Sequence, residues 1–312
     1  MSAQEAIQAP SGGDTGDARL AELTALARRL NVTNRVGIAV LGVVTTFIVL
    51  VFVAIIVYLI VDGFAYITNL NFYTSGVTGV GSEIFNTFYI LILTEIFLFP
   101  ISLAAAIYLV EYVPQGRFVA IVHFSAETLA GVPSLVLGLF GVLAFSDLLG
   151  LHTSRLAGAL TLLCLNLPLS LRLFEDALAS VPRDLREAGL ALGTTKWHMI
   201  RTVVIPSALP GLVTGLILSA GKVIGEAAAL LFTMGLTNPG NVFTLNPLIG
   251  SDTLTTHLYF IIGPGAGSTS LTHPQEIAIT AGTSALLIVL LLVINLVSRG
   301  IGRLIQRRVT AA

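Results

Sequence analysis

Two oppositely charged residues, Lys222 and Glu226, lie four positions apart in an apolar stretch that covers residues 209–236. Residues four apart share one face of an α-helix, so the two side chains are predicted to lie within salt-bridge reach. An ionisable side chain in so apolar a helix is costly unless it is paired or hydrated. The pair is therefore predicted to line an interface or a cavity, where the ammonium group can bind an anion as a point charge.

A second basic residue, Arg172, lies near the inner end of another apolar stretch and is followed by Glu175 and Asp176 within one helical turn. An arginine at a helix end often reaches the membrane interface or a neighbouring carboxylate. That interpretation and a role on an anion path are both open for Arg172. Glu95 and Glu127 also lie in apolar stretches, and we interpret them as structural, each protonated or hydrogen-bonded within the protein, with a place on the path as the alternative.

The cysteine and histidine residues are too dispersed in the sequence to form a metal site. The single cysteine, Cys164, lies in an apolar run and can form neither a disulfide within the chain nor a multi-thiolate metal site. None of the histidines forms a close pair with metal-ligand spacing, so no metal site is predicted. The histidines are His123, His152, His198, His257 and His273.

Catalysis by this chain is not predicted. A phosphate-binding loop of the form G-x-x-x-x-G-K-[ST] is absent from the sequence, so we expect no ATP binding, no cofactor and no ATP hydrolysis in this chain. No nucleophile, base and acid cluster on one membrane face, which argues against an integral membrane enzyme. The formal net charge of −1 does not indicate a nucleic-acid partner.

The elements that position these residues are apolar runs long enough to cross a bilayer. The chain has 312 residues, of which 55% are hydrophobic and 11% charged, and lipid must solvate much of such a chain. Spanning takes about 20 apolar residues as a helix. The sequence therefore predicts an all-α integral membrane protein with six transmembrane helices, at residues 36–61, 84–112, 118–149, 156–173, 209–236 and 277–297. Pro100, Pro133 and Pro168 are predicted to kink the spans that contain them.

The basic residues predict the topology, because Lys and Arg accumulate on the cytoplasmic side. Thirteen of the 16 lie in one set of segments: Arg19, Arg28, Arg29, Arg35, Arg117, Arg183, Arg186, Lys196, Arg201, Arg299, Arg303, Arg307 and Arg308. The loops on the opposite side hold only Arg155. Both termini are therefore predicted to be cytoplasmic.

The cytoplasmic segment between spans four and five contains the most specific motif. It has Glu187–Ala188–Gly189, then Gly193 after three residues, then Val203–Val204–Ile205–Pro206 after nine more. Apolar residues at helical spacing on both sides of Gly193 predict two short helices that meet at this glycine. The pattern resembles the EAA motif of ABC-importer permeases, in which position 189 is more often alanine.

Three further stretches resemble phosphate-importer permeases of the PstA type: A-A-I-Y-L-V-E-Y (105–112), G-V-P-S-L-V-L-G-L-F (131–140) and G-E-A-A-A-L-L-F-T (225–233). The last departs from the usual G-E-T-A-P-L-L at Ala227 and Ala229. Lys222 stands where the PstA type more often has arginine. A rotatable ammonium group therefore takes the place of a planar guanidinium group that can donate two hydrogen bonds to one anion. Arg172 matches another basic position of that family.

The resemblance implies the MetI-like fold of type I ABC-importer permeases and a subunit of an ATP-driven phosphate importer. The implied substrate path includes Lys222, Glu226 and Arg172. From the residues themselves we add the hypothesis that Lys222 releases Glu226 when it binds a passing phosphate. The implied ATPase-coupling residues are Glu187, Ala188, Gly189, Gly193 and Pro206. Implied partners are membrane lipid, a homologous PstC-type permease in a heterodimer, two PstB-type ATPase subunits that bind ATP and Mg²⁺, and an extracytoplasmic PstS-type phosphate-binding protein.

The domain organisation follows from the spans and the resemblance. We expect a cytoplasmic tail at residues 1–35, a permease domain at 36–298 and a basic cytoplasmic tail at 299–312, in a prokaryotic plasma (inner) membrane. The coupling loop is predicted at 176–206. An extracytoplasmic loop is predicted at 237–276, with turns at Asn238–Pro239–Gly240 and Gly263–Pro264–Gly265 and a short interfacial helix at 258–262.

The residues alone leave two alternative functions open. A permease for another oxyanion, such as sulfate, molybdate or a phosphonate, would share the coupling loop. An ATP-independent anion channel needs only a basic residue in its pore, but the coupling loop would then have no purpose.

Overall fold

A computed structural model describes residues 14–75, 79–237, 242–263 and 272–310, with side chains described between residues 34 and 297 of these ranges. The predicted turn at Asn238–Pro239–Gly240, and all of the predicted Gly263–Pro264–Gly265 turn except Gly263, lie outside the described residues. So do the basic side chains of the two tails that precede residue 34 or follow residue 297. Within the described ranges every regular element is a helix.

The α-helices of these ranges are α1 (Asp14–Ile67), α2 (Gly81–Ile107), α3 (Arg117–Ala130), α4 (Ser134–Gly141), α5 (Arg155–Ala179), α6 (Arg183–Ala191), α7 (Lys196–Met199), α8 (Ile205–Gly225), α9 (Ala228–Thr233), α10 (Leu254–Ile262) and α11 (His273–Thr310). A 3₁₀ turn covers Leu70–Tyr73. Three π-helical segments extend α2, extend α4 and join α7 to α8: Tyr108–Tyr112, Val142–Leu148 and Ile200–Val204.

Five helical segments of the described residues are long and apolar enough to cross a membrane: Asn34–Ile67, Gly81–Tyr112, Arg155–Ala179, Lys196–Gly225 and His273–Val297. They overlap five of the six predicted spans, and α10 lies at the predicted short helix. The predicted bounds of the fifth span are wrong. Its helix begins at Lys196, and it ends at Gly225 because the next residue has extended backbone angles.

The third predicted span is not one helix. The segments Arg117–Ala130 and Ser134–Leu148 meet at an angle of 98°. The break falls at Pro133, which has no backbone N–H to donate and disfavours helical geometry in the residue before it. By contrast, α2 and α5 continue past Pro100 and Pro168.

The described residues divide into two units at Tyr58. In the first unit, helix α1 begins at Asp14, inside the segment that the sequence places in a tail. Except for the half-buried Ile56, its apolar side chains between residues 36 and 57 are exposed, including Phe47 and Phe52. So apolar a surface requires lipid or another protein chain to cover it.

In the second unit, which begins at Leu59, α5 packs against both α2 and α8. The fully buried side chains of Phe174, Leu178, Met199 and Ile200 form the largest apolar cluster, together with residues of α2, α3 and α8. A second cluster around Phe72, Ile224, Leu254 and Ile279 joins α8, α10 and α11. The middle of the bundle is thus built by helices that the sequence predicts as spans two, four, five and six.

Arg155, the only basic residue of the predicted outer loops, is fully buried at the start of α5. Its guanidinium group donates to Asn86 Oδ1 (2.6 Å), to Ser251 Oγ (2.9 Å) and to the carbonyl of Thr244. It also lies over the ring of Tyr89, 4.7 Å from the centroid, as a cation–π contact. Arg155 therefore fastens the segment between α9 and α10 onto the first turns of α2.

Candidate functional site

Helices α5 and α8 approach closely because glycines of α8 face side chains of α5. A Cβ at Gly211 would lie 2.8 Å from Ala177 Cβ, and one at Gly215 would lie 3.0 Å from Phe174 Cε1. One turn further on, Ser170 Oγ donates to Ser219 Oγ across the interface (3.1 Å). The helices therefore run antiparallel, so the end of α8 that carries Lys222 lies beside the middle of α5.

A cavity of about 380 Å³ opens between α3, α5 and α8. Two of the three predicted path residues, Lys222 from α8 and Arg172 from α5, lie in its wall. The other lining residues are His123, Ala126, Glu127, Ala130, Leu165, Pro168, Leu169, Leu171 and Glu175. The tertiary structure thus brings together two basic residues that are 50 positions apart in the sequence.

The two basic side chains of the cavity are exposed and differ in their partners. Arg172 Nε lies 3.6 Å from Asp176 Oδ1, one helical turn away, and both side chains are mostly exposed. Lys222 makes no ion pair or hydrogen bond with any residue that the structure describes. An ion pair so exposed contributes little to stability, so both cations can turn to an anionic ligand.

The acidic side chains of the cavity supply hydrogen-bond acceptors. His123 Nε2 lies 3.0 Å from Glu175 Oε2, while Glu175 Oε1 is buried without a partner among the described residues. Glu127 is exposed in the cavity wall, which disagrees with the structural interpretation and agrees with its alternative, a place on the path. Glu95 meets its expectation, because its Oε1 accepts a hydrogen bond from Ser219 inside the bundle (2.9 Å).

The predicted pairing of Lys222 with Glu226 is wrong. Helix α8 ends at Gly225, and Glu226 has φ −80° and ψ 127°, so the two residues are not on one helical face. Glu226 Oε1 instead accepts the backbone N–H of Ala229 (3.3 Å) at the start of α9. The first N–H groups of a helix have no partner within the helix, and they attract a carboxylate.

The same contact gives a physical meaning to one departure from the PstA pattern. Ala229 stands where that pattern often has proline, and proline has no N–H to donate to Glu226. Ala229 is fully buried, and a Cβ at Gly138 of α4 would lie 2.9 Å from Ala229 Cα. Two of the stretches that carry the resemblance therefore pack directly on each other.

The predicted coupling segment has one helix on each side of Gly193, as expected, but only the first of the two is short. Helix α6 ends at Ala191, and Gly193 has φ +79°, a conformation that glycine adopts at little cost. Thr195 then caps α7, because its Oγ1 accepts the backbone N–H of His198 (3.3 Å). From Lys196 the helix continues to Gly225 and so contains Pro206, which is half-buried near the start of α8.

The exposed side chains of this segment include Glu187 and several large apolar residues. Glu187 and Ala188 are exposed, and Glu187 has no partner among the described residues. Leu185, Leu190, Leu192 and Trp197 are exposed on the same segment. We call the residues Leu185, Glu187, Ala188, Leu190, Leu192 and Trp197 the coupling surface. Gly189, predicted to belong to it, is buried, and a Cβ there would lie 2.9 Å from Met199 Cγ.

Glu111 is a residue of this region that the sequence reasoning missed. Its carboxylate accepts a hydrogen bond from Arg186 Nε of α6 (2.9 Å), and its backbone carbonyl accepts one from Lys196 Nζ of α7. Arg186 also donates to the carbonyls of Leu178 (2.8 Å) and Val181. The available signal was the position of Glu111 in the A-A-I-Y-L-V-E-Y stretch, beside the predicted cytoplasmic end of span two.

The profile of one protein family, described as "Binding-protein-dependent transport system inner membrane component", matches residues 98–311. The chain belongs to this family. It is therefore the membrane-embedded subunit of an ABC importer, a transport subunit whose ATP hydrolysis lies in a partner ATPase. The family also implies a binding protein as a partner.

Similar proteins confirm the resemblance to the PstA type. A protein of Bacillus subtilis (strain 168) named "Probable ABC transporter permease protein YqgI" is 37% identical over 90% of this permease and 98% of its own length. "Phosphate transport system permease protein PstA 1" of Mycobacterium tuberculosis (strain CDC 1551 / Oshkosh) is 36% identical over 67% of this permease. That match spans 66% of the mycobacterial protein.

Solved structures confirm the fold. The permease resembles a chain in an inward-facing MetNI methionine ABC transporter, with a TM-score of 0.57 and 21% identity over 72% of this permease and 95% of that chain. A bacterial ABC transporter involved in the import of alginate gives 0.60 and 18% identity over 89% and 99%. The predicted MetI-like, all-α fold is thus correct.

Proposed function

We propose that this permease carries inorganic phosphate, and that its cavity between α3, α5 and α8 is part of the path. The observation that carries this proposal is the pair of exposed basic side chains, Lys222 and Arg172, in one cavity wall. An ammonium group and a guanidinium group both bind phosphate oxygens strongly. The relatives that are named as phosphate permeases support phosphate as the substrate. The name of the Bacillus subtilis relative specifies no substrate.

The acceptors of the cavity favour an oxyanion that carries a proton. The buried Glu175 Oε1 and the exposed Glu127 can accept a hydrogen bond from a ligand hydroxyl. Phosphate keeps at least one proton at neutral pH, whereas sulfate carries none and would face carboxylate lone pairs. A buried acceptor left without a donor costs free energy, so the cavity should bind phosphate better than sulfate.

The proposal includes the assembly around this chain. A homologous PstC-type permease would complete the path on the open side of the cavity, in a heterodimer. Two PstB-type ATPase subunits would bind ATP and Mg²⁺, and a PstS-type protein would deliver phosphate from outside. We further propose a prokaryotic inner-membrane location, cytoplasmic tails at residues 1–35 and 299–312, and a cytoplasmic coupling loop at 176–206.

The coupling surface is proposed to dock on the ATPase. Its exposed apolar side chains need a protein partner, because water solvates them poorly on a cytoplasmic loop. Glu187 would supply the charge at the centre of the contact. Movement of the docked segment would reach the bundle through Arg186 and Glu111, which join α6 to the end of α2.

The test is uptake of radiolabelled phosphate into proteoliposomes that contain the co-purified complex, with the binding protein outside. Internal ATP is present or absent, and unlabelled sulfate and molybdate are added as competitors. ATP-dependent accumulation that resists both competitors is the expected result. ATP-dependent uptake of sulfate or molybdate instead of phosphate would overturn the assignment of phosphate as the substrate. Equilibration of phosphate across the membrane without ATP would indicate a channel.

A further inference from the structure

Three ligand-type side chains meet at the end of the bundle where α2 begins. Glu83 lies in the first turn of α2, Asp252 just before α10, and His257 within α10. His257 Nδ1 lies 3.0 Å from Asp252 Oδ2 and 3.8 Å from Glu83 Oε1. One ligand atom from each residue lies within 4.8 Å of the other two. We call these three residues the α2–α10 cluster.

Neighbouring hydroxyl groups occupy the outer oxygens of the two carboxylates. Ser82 Oγ donates to Glu83 Oε2 (2.7 Å), and Thr237 donates to Asp252 Oδ1 through its hydroxyl and through its backbone N–H (3.2 Å). The inner oxygens, Glu83 Oε1 and Asp252 Oδ2, are left facing the imidazole. Glu83 Oε1 accepts no hydrogen bond from the described residues. Hydrogen-bonded carboxylates of this kind are typical of the surroundings of metal ligands.

The two carboxylates of the α2–α10 cluster have no lysine or arginine partner among the described residues. The side chains of Glu83 and Asp252 are only 8% and 6% exposed, and neither forms an ion pair with a lysine or an arginine there. Among the described residues, His257 is the one basic side chain within ion-pair distance of these two buried carboxylates.

We propose that Glu83, Asp252 and His257 bind a divalent transition-metal cation, with zinc as the best match. One imidazole nitrogen and two carboxylate oxygens are ligands that zinc accepts, and three protein ligands leave a position for water. The metal would replace the proton that His257 shares with Asp252. It would join the start of α2 to α10, and it would stabilise this end of the bundle whatever anion the permease carries.

The sequence predicts no metal site, because no two histidines have metal-ligand spacing and the set contains only one histidine. Glu83 lies far from Asp252 and His257 in the chain, so no spacing rule identifies this set. The tertiary structure brings the three residues together through the fastening of the α9–α10 segment onto α2 by Arg155.

The test measures zinc on the full chain, purified within its complex through an affinity tag that contains no histidine. The sample is stripped with EDTA and then titrated with zinc against a fluorescent zinc chelator, and bound metal is quantified by mass spectrometry. We expect one zinc per chain, and a higher unfolding temperature with zinc than with EDTA. Failure of the unmodified complex to bind zinc, with an unfolding temperature that EDTA leaves unchanged, would show a purely ionic cluster and overturn the proposal.

Variants locate the zinc on these residues. Asp252→Asn and His257→Gln should each abolish stoichiometric zinc binding. Thr237→Val removes the hydroxyl that donates to Asp252 and accepts from Asn86 Nδ2 (2.9 Å), and it should weaken zinc binding by about 10–100-fold while the protein still folds. The matched control is His152→Asn, at an exposed histidine with φ +51°, a conformation that asparagine tolerates. Equal zinc binding by Thr237→Val and the unmodified chain would overturn the assignment.

Discussion

Arg186 of α6 donates to the carboxylate of Glu111 at the end of α2 over 2.9 Å, and the two side chains are only 17% and 5% exposed. The coupling segment is therefore fastened to the bundle by a mostly buried charge pair. Arg186 also satisfies two carbonyls near the end of α5, so one guanidinium group links three parts of the chain. A displacement of α6 has to move α2 or break this pair.

Removing one side chain of the Arg186–Glu111 pair should destabilise the permease more than removing both. Glu111→Gln should destabilise the permease by about 3 kcal/mol, because Arg186 keeps a poorly compensated charge in a nearly buried position. Glu111→Met combined with Arg186→Met should recover part of that loss. Thermal unfolding of the purified complex measures both variants, with Arg183→Ala as the control at an exposed arginine of the same helix. A double variant less stable than Glu111→Gln would contradict this account.

Lys222 should matter for transport through its charge. Lys222→Ala should lower the initial rate of phosphate uptake about 10–100-fold, because a charge-assisted hydrogen bond to the anion is lost. Lys222→Arg keeps the charge and should keep most of the uptake. Arg117→Ala is the control, since Arg117 is exposed and lies outside the cavity wall. Unchanged uptake by Lys222→Ala, with assembly intact, would remove Lys222 from the path.

Lys222 and Glu226 should behave as independent residues. Glu226→Ala should cost about 1 kcal/mol of stability through the lost hydrogen bond to the Ala229 N–H. A double-mutant cycle with Lys222→Ala should show a coupling energy below about 0.5 kcal/mol, as for side chains that share no contact. Chemical denaturation of the four proteins in detergent gives the cycle. A clearly larger coupling energy would restore the salt bridge that the sequence suggests.

Gly193 should be required for the shape of the coupling segment. Gly193→Ala should cost about 1–2 kcal/mol because a Cβ is unfavourable at φ +79°. Gly193→Asn should cost less, since asparagine tolerates this conformation. Co-purification of the ATPase with the permease and binding-protein-stimulated ATP hydrolysis should both fall in Gly193→Ala. The control is Gly42→Ala, in helix α1, where a Cβ would meet no atom within 4 Å. Equal losses in both variants would contradict a specific role for the turn.

The sequence by itself determined the features that depend on local composition. Five spans, the short helix α10 and the turn at Gly193 are recognisable because apolar length, helical spacing and glycine conformation act over one to a few turns. Arg172 and Lys222 were identified as candidates because a charge in an apolar helix is costly wherever its partner lies. The motifs around Glu187 and Gly138 also identified the family before any fold was known.

Only the tertiary structure decided which side chains meet. The 98° break at Pro133, the partner of Glu226, the Glu111–Arg186 pair and the α2–α10 cluster all depend on how helices distant in sequence pack. Helical spacing suggested Lys222 with Glu226, but a backbone turn and a free N–H at α9 gave Glu226 a nearer partner. Contacts between distant segments are selected by the packing of the whole bundle, and local spacing carries no information about that choice.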